Sequence, residues 1–488
     1  VEIVSFGKFH YFDDDRFYYR GLADISNLRK YYQEKINKKV CAGYLNYDNK
    51  KRLFYIVPAE YINNEQFEKF QDIQKEFHYE EQLEGSWKIW TGKIRYKRNN
   101  WIIYPPDPNA QKIELSKEDV SYYLNDKNRT IPIDIIESAK KGFLIIDGKK
   151  KPIRFKEGVP IFYVKYKDSK DNERIAFGHT RFFRLPYEKT IGAHIPHNLK
   201  NEEVTDFADA IFGKEGNWAS RVFFEDADLI DNPDQAFLPK TSPKILASPK
   251  PTTFQHYLEQ PDDATKNNLR HWDSDAKIRG YKMYWHRNTP NNSKQVYSWN
   301  EGKIIENDTQ HTVIRPVNKG VTFKGRIRFE NLTKEELGAL LFVLNLPENC
   351  HHKLGMGKPL GLGSIKISTQ LFISKRTERY SRLFDNNNDN FFLSDEPQKP
   401  EEFICAFEKY ILNNISNSDK VNAEKLWETP RLKDLKNLLN WDNTKQTNWN
   451  EKTRYMEIEH NIDNADGGNN KINEFKDRPV LPRSSIVV

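Results

Sequence analysis

The chain has 488 residues, of which 30% are charged and 13% aromatic, and its formal net charge is +7. Its three cysteines, Cys41, Cys350 and Cys405, stand far apart with no Cys-x-x-Cys pair, which argues against a disulfide framework and a cysteine zinc site. No apolar run of about 18 residues is present, so we expect a cytoplasmic protein without a membrane segment. The small basic excess fits a polyanionic partner but does not require one.

Alternating apolar and polar residues dominate the segment 41–186. Such alternation is typical of half-buried strands. Asp147-Gly148 and the polar tract 168–173 are turn signals between neighbouring strands. We therefore predict a β-rich insertion over 41–186.

Two segments, 177–187 and 279–287, interleave cations with aromatic rings. This combination suits a protein that follows a nucleic-acid backbone and stacks on bases. The alternative for 177–187 is an aromatic strand edge with ordinary arginines, and the alternative for 279–287 is a buried aromatic strand. The residues concerned are His179, Arg181, Arg184, Tyr281 and Trp285.

A short helix is predicted between these segments, over Asp206–Gly213, with the glycine as its C-terminal cap. A strand that begins at Ser220 and Arg221 should follow it. These two elements connect the β-rich region to the later part of the chain.

The segment 321–367 has the predicted order strand, helix, glycine-rich loop, strand. Val321–Phe329 alternates with period two, as a strand does. Thr333 and Glu336 form a capping box, which predicts that a helix begins there. Ser364–Ser368 alternates again. This order is half of the split βαβ unit of ferredoxin-like domains.

The loop in this unit combines glycines at a paired spacing with cations. Glycine permits positive φ and lets backbone amides approach a bound group, so phosphate is the predicted ligand. A Walker A motif is excluded, because His352 stands where glycine is required and Pro359 follows the lysine. A tight structural turn is the alternative interpretation. The residues are Lys353, Gly355, Gly357, Lys358, Gly361 and Gly363.

Apolar residues at helical spacing over Glu401–Asn440 predict helices in the last part of the chain. We therefore expect four parts. They are 1–40 as the start of a core domain, 41–186 as the β-rich insertion, 187–370 as the main core with the glycine-rich loop, and 371–488 as a helical extension.

The stretch His352–Ile367, HKLGMGKPLGLGSIKI, resembles the C-terminal glycine-rich signature of the RAMP superfamily of CRISPR-associated proteins. Its residues are most similar to the corresponding sequence in backbone subunits of type III effector complexes. The segments 177–187, 206–226 and 279–287 resemble that family in the same order. The resemblance implies an α+β fold with a ferredoxin-like (RRM-like) core, a β-rich insertion and a helical C-terminal part.

The resemblance also implies a function. It implies a guide-RNA-binding subunit of a type III antiviral complex, with guide RNA, target RNA and other type III subunits as partners. In such complexes base pairing reads the target sequence. RNA contacts are then expected at Lys353, Gly355, Gly357, Lys358, Gly361, Gly363, Arg181, Arg184, Arg221, Tyr281 and Trp285.

Catalysis stays open at this stage. Family subunits that cut target RNA use a divalent metal and an aspartate ahead of a segment that this sequence lacks, so we expect an N-terminally truncated chain. No catalytic residue, metal ligand or cofactor is assigned, and Mg²⁺ would be needed only for target cleavage. The alternatives are a guide-processing endoribonuclease that uses His179 or His286, and a non-catalytic assembly subunit.

Overall fold

A computed structural model describes fifteen stretches of the chain, which form two compact units. One unit contains Ile195–Thr265 and Lys277–Val488, and the other takes the described residues of Tyr11–His194 with Lys266–Ala276. The described stretches are 18–20, 40–63, 79–81, 87–89, 101–126, 133–180, 183–200, 204–246, 253–280, 282–288, 298–306, 308–374, 376–381, 395–463 and 469–488.

The unit with the earlier residues, here the β-rich unit, is built on an antiparallel sheet. Its strands are β1 (Tyr18–Arg20), β2 (Cys41–Asp48), β3 (Leu53–Asn63), β4 (Tyr79–Glu81), β5 (Trp87–Ile89), β6 (Trp101–Pro106), β7 (Ile113–Glu114), β8 (Phe143–Ile146), β9 (Lys149–Arg154), β10 (Val159–Lys167), β11 (Glu173–Gly178) and β12 (Arg184–Pro186). Eight of these described strands form one sheet in the order β11-β10-β2-β3-β6-β5-β4, with β7 paired to β3. The pairs β1–β12 and β8–β9 stand outside it.

Both predicted turns lie at hairpin ends in this unit. Strands β10 and β11 pair from Phe162 opposite Gly178 to Lys167 opposite Glu173, so the polar tract between them is the turn. Gly148, at φ +72°, closes the hairpin between β8 and β9. Residues 159–164 of β10 are all buried, as expected for a strand inside a sheet.

Two helices accompany the sheet, α1 (Lys117–Leu124) and α2 (Ile135–Lys141). Ser116 begins α1 with a capping box, and the Asp134 carboxylate caps α2. Side-chain caps of this kind satisfy amides that have no partner inside the helix. The polar residues before each helix therefore determine where it begins.

The other unit, here the loop unit, combines short antiparallel strand pairs with helices. Its strands are β13 (Val222–Phe224), β14 (Asp228–Leu229), β15 (Phe323–Lys324), β16 (Ile327–Phe329), β17 (His352–Lys353), β18 (Ser364–Ile365), β19 (Leu371–Ser374), β20 (Asp395–Gln398), β21 (His460–Asp463) and β22 (Asn469–Ile472). They pair as β13–β16, β14–β15, β17–β18, β19–β20 and β21–β22. Its helices are α3 (Phe207–Phe212), α4 (Lys334–Leu344), α5 (Arg376–Ser381), α6 (Glu401–Asn414), α7 (Asn417–Lys420), α8 (Pro430–Leu439), α9 (Trp449–Lys452) and α10 (Ser484–Val487).

Helix α4 organises the core of the loop unit. It begins with the predicted capping box, in which the Glu336 amide donates to Thr333 Oγ1 at 3.2 Å and the Thr333 amide donates to Glu336 Oε2 at 2.8 Å. A Cβ on Gly338 would lie 2.0 Å from the Phe403 carbonyl oxygen, so glycine lets α4 and α6 approach closely.

Buried apolar side chains join α4 to the C-terminal helices. The Phe342 and Phe407 ring centroids are 5.4 Å apart, and Leu340, Ile411 and Leu432 are buried in the same cluster. Burial of each such side chain contributes about 1.5–3 kcal/mol. The predicted C-terminal helices therefore pack on the same core as α4.

The mixed helix and sheet composition confirms the α+β class. The predicted helix before the glycine-rich loop is confirmed, and so is the short helix that ends at Gly213. Strands of the loop unit pair only two by two among the described residues, so a ferredoxin-like core stays a prediction. None of the helices described here is long and apolar enough to cross a membrane.

Candidate nucleic-acid interface

The glycine-rich loop is the tip of a β-hairpin. Strands β17 and β18 pair with Lys353 opposite Ser364, and the Leu354 amide continues the ladder by donating to the Gly363 carbonyl at 2.8 Å. Between them, a 3₁₀ turn covers Lys358–Leu360. The two ends of the loop are therefore held next to each other by the paired strands β17 and β18.

Three of the four glycines are required by close packing inside the loop unit. All four have positive φ, between +72° and +90°. A Cβ on Gly363 would lie 1.9 Å from the Leu354 carbonyl oxygen, one on Gly361 would lie 2.9 Å from Arg287 Cβ, and one on Gly357 would lie 2.7 Å from Leu362 Cδ1. Side chains at these positions would displace their neighbours.

Gly355 differs from the other three. Its φ is +81°, but a Cβ built on it meets no atom within 4 Å. The space above this residue is open, so an external group can approach the backbone here.

The amides at this open side of the loop are available. Within the described residues, the amides of Gly355, Met356, Gly357 and Lys358 donate to no acceptor. Successive unpaired amides next to positive-φ residues form a concavity that suits an anion. The backbone itself therefore offers the donors that phosphate needs.

Both loop lysines bind carbonyl oxygens of the loop. Lys353 Nζ donates to Gly361 O at 3.1 Å and to Leu362 O at 3.2 Å, and Lys358 Nζ donates to Gly355 O at 2.5 Å. Burial, and then the nearby Arg287 charge, lower the pKa of Lys353 to about 8. In this arrangement the lysines hold the loop in shape and also contribute positive charge.

Residues 286 and 287 pack against the hairpin loop and support it. His286 is buried, with Nδ1 2.8 Å from Ser364 Oγ and Nε2 3.0 Å from the His351 carbonyl oxygen. A carbonyl can only accept, so Nε2 carries the proton and Nδ1 accepts from the serine hydroxyl. Burial, and then the charge of Lys353, lower the pKa of His286 to about 4, and the ring is neutral at pH 7.

Arg221 is used inside the protein. Its Nε donates to the Ala210 carbonyl at 3.0 Å, its Nη1 donates to the Asn331 carbonyl at 2.6 Å, and its Nη2 pairs with Glu336. Burial raises the pKa of Glu336, but the hydrogen bonds from Arg221 and Thr333 and the charge of Arg221 together outweigh it, so the pKa is lowered overall. The guanidinium thereby ties α3 and β13 to the start of α4, and RNA contact by Arg221 stays a prediction.

The structure gives less information on the remaining predicted RNA contacts. Trp285 packs edge-to-face on Trp449, with ring centroids 5.1 Å apart, next to the support of the loop. Arg184 lies in β12 opposite Arg20, and the structure describes only its backbone. Arg181 and Tyr281 lie outside the described residues.

The structure therefore brings together the six loop residues and the segment 285–287. Sequence reasoning missed the support by Arg287, and it predicted that amides of the loop approach a bound group without showing which amides lack an acceptor. The cation–aromatic spacing at 279–287 singled out this segment as a candidate, but no sequence signal showed that it packs against the loop.

The two candidate catalytic histidines are buried. His179 is 3% exposed and His286 is 1% exposed. Neither ring faces solvent, so the geometry adds no support to a histidine-based endoribonuclease. Across the described part of the chain, no group of three His, Cys, Asp or Glu residues is placed to hold a metal ion.

Comparison with protein families decides the assignment that these features leave open. The sequence model of the RAMP superfamily matches residues 16–366, which is most of the chain and includes the hairpin loop. The chain belongs to the RAMP superfamily. No curated protein matches the sequence. Membership of the RAMP superfamily suggests a CRISPR-associated protein and implies RNA binding and assembly into a CRISPR complex.

Proposed function

We propose that this RAMP protein is a guide-RNA-binding subunit of a type III RNA-guided antiviral complex in the cytoplasm. Its partners would be guide RNA, target RNA and other type III subunits. The observation that carries the proposal is the run of four unpaired amides from Gly355 to Lys358. The family match supports the same class of ligand.

Backbone amides fit the task of a guide-binding subunit. They bind phosphate oxygens and make no contact that depends on the base, so one loop can hold any guide. Target sequence is then read by base pairing with the guide. Gly355 allows the phosphate to reach the amides, because nothing occupies the space above it.

A pair of glycine variants tests the proposal. Gly355→Ala adds a methyl group in the path of the phosphate, and Gly148→Ala adds one at a hairpin turn of the β-rich unit. Both glycines have positive φ, +81° and +72°, and both have open space at Cβ. Each variant should therefore lose a similar stability, about 1–2 kcal/mol.

The measurement is the affinity of the purified full chain for guide RNA at fixed salt. We expect Gly355→Ala to bind about tenfold more weakly, which is about 1.4 kcal/mol, and Gly148→Ala to bind as the wild type does. RNA that copurifies with the complex should be short and share a repeat-derived end. Equal affinities in the two variants would overturn the role of the loop, and the absence of any bound RNA would overturn the proposed function.

A further inference from the structure

A second feature of the loop unit lies just after helix α3. The turn that follows the helix borders a shallow, open cleft of about 480 Å³, lined by consecutive residues from Phe212 to Ser220. It is separate in sequence from the glycine-rich loop.

Aromatic rings around the cleft are exposed to solvent. Phe212 is 46% exposed, Trp218 is 42% exposed, and Phe224 on β13 is 62% exposed. Phe212 and Phe224 lie nearly parallel, with centroids 6.2 Å apart and an interplanar angle of 25°. Large apolar groups that stay together in water commonly mark a binding surface.

The cleft is held in shape by its own hydrogen bonds. The Trp218 indole Nε1 donates to the Asp209 carbonyl at 2.9 Å, and the Lys214 amide donates to the Trp218 carbonyl at 3.0 Å. A Cβ on Gly213 would lie 2.7 Å from the same Trp218 carbonyl oxygen. The Trp218 ring and the backbone of the turn are thus held by hydrogen bonds, and binding would need little ordering of the turn.

Polar groups are available beside the rings. Gly216 has φ +78° and open space at its Cβ position. The amides of Glu215 and Gly216 donate to no acceptor in the part of the chain that the structure describes. The cleft thus combines flat apolar faces with free hydrogen-bond donors.

We infer that this cleft binds an unstacked nucleobase of the bound RNA, with the base against Phe212 or Trp218. A nucleobase has a flat face for the rings and acceptor atoms on its edge for the amides, so it matches both parts of the cleft. Lys214 lies 3.9 Å from the Asp209 carboxylate and Glu215 also lines the cleft, so the local charge favours a base over a phosphate as its occupant. The inference rests on the proposed function, because it takes RNA as the ligand.

The test compares ring variants that keep apolar volume. Phe212→Leu removes the ring face of the cleft, whereas Phe372→Leu does the same on β19, where the ring is 49% exposed. The probes are a single-stranded guide RNA and the same RNA with abasic positions along its length. Phe212→Tyr keeps the ring and serves as the conservative variant.

We expect Phe212→Leu to bind guide RNA about five- to tenfold more weakly, with an unchanged salt slope, because stacking releases no counterions. Its affinity for the abasic RNA should equal that of the wild type. Phe212→Tyr and Phe372→Leu should bind normally. Melting temperatures equal to the wild type would show that the variants fold.

Other results would overturn the inference. If Phe212→Leu binds both RNAs as the wild type does, the cleft takes no base. If it binds RNA normally but associates more weakly with other subunits, the cleft is a protein contact. Wild-type protein that binds RNA, with a Gly355→Ala variant that does not, would leave the proposed function standing in either case.

Discussion

The region around Arg221 and the glycine-rich loop both use cationic side chains to bind carbonyl oxygens. The two regions differ in the backbone amides that have no acceptor. The Arg221 guanidinium donates to two carbonyls and to Glu336. In the loop, Lys353 and Lys358 also donate to carbonyl oxygens. In the loop, the four successive amides from Gly355 to Lys358 have no acceptor within the described residues.

Under the proposed function, this difference separates groups that support the fold from groups that bind RNA. In both regions the charged side chain stabilises the fold, because it satisfies carbonyl groups near the ends of secondary-structure elements. In the loop the remaining donors belong to the backbone, and a Cβ built on Gly355 meets no atom within 4 Å. Under the proposed function, the loop would bind RNA through these backbone amides rather than through its lysines.

Gly363→Ala should have the largest effect. The added methyl group would lie 1.9 Å from the Leu354 carbonyl oxygen at a φ of +72°, so the hairpin must shift. We expect a loss of about 3–4 kcal/mol in the free energy of unfolding, measured by urea denaturation, since a backbone clash adds to the left-handed strain. Gly355→Ala should lose only the stability that corresponds to the left-handed backbone strain. An equal loss of stability in both variants would remove the distinction between packed and open glycines.

Acid should weaken the support of the loop. His286 has its pKa lowered from 6.5 to about 4, so below pH 6.5 the unfolded chain binds a proton that the folded chain does not. The free energy of unfolding should therefore fall as pH falls from 6.5 to 4, by on the order of 3 kcal/mol. Denaturation of the wild type and of His286→Gln across this range measures the effect. If the free energy of unfolding falls with pH by the same amount in the wild type and in His286→Gln, the His286 ring does not cause the loss.

Arg221→Met should destabilise the protein, and the RNA affinity of this variant tests whether Arg221 also contacts RNA. Hydrogen bonds to charged groups contribute about 1.5–3 kcal/mol, so we expect a loss of about 2 kcal/mol because one side chain ties three elements together. Affinity for guide RNA is measured at a temperature where the variant is folded. Weaker RNA binding with a smaller salt slope would show that Arg221 contacts phosphate, and the comparison with the loop would fail.

Lys358→Met should have the smallest effect. Its ammonium group binds Gly355 O, so its loss should weaken guide-RNA binding only about twofold and leave the salt slope unchanged. Lys366→Met, an exposed lysine just beyond β18, is the matched control. A salt slope smaller by about 1 in Lys358→Met alone would mean that this lysine neutralises a phosphate.

Local rules explain which elements could be predicted. The capping box at Thr333, the Asp147-Gly148 turn and the polar turn between β10 and β11 each depend on residues that are close in sequence. The α+β class follows from such elements and is confirmed. The pairing of strands into a ferredoxin-like core depends on distant contacts, and that prediction stays open.

By itself, the sequence determined the chemical type of the loop, namely glycines and lysines between a helix and a strand, and it marked the RAMP superfamily. Only the tertiary structure decided which of these groups are free. Arg287 packs on Gly361 from 74 positions away (361 − 287), and Glu336 meets Arg221 from 115 positions away. Periodicity does not encode such contacts, because a side chain's partner depends on how whole elements pack. The distinction between a supporting cation and an available amide therefore required the fold.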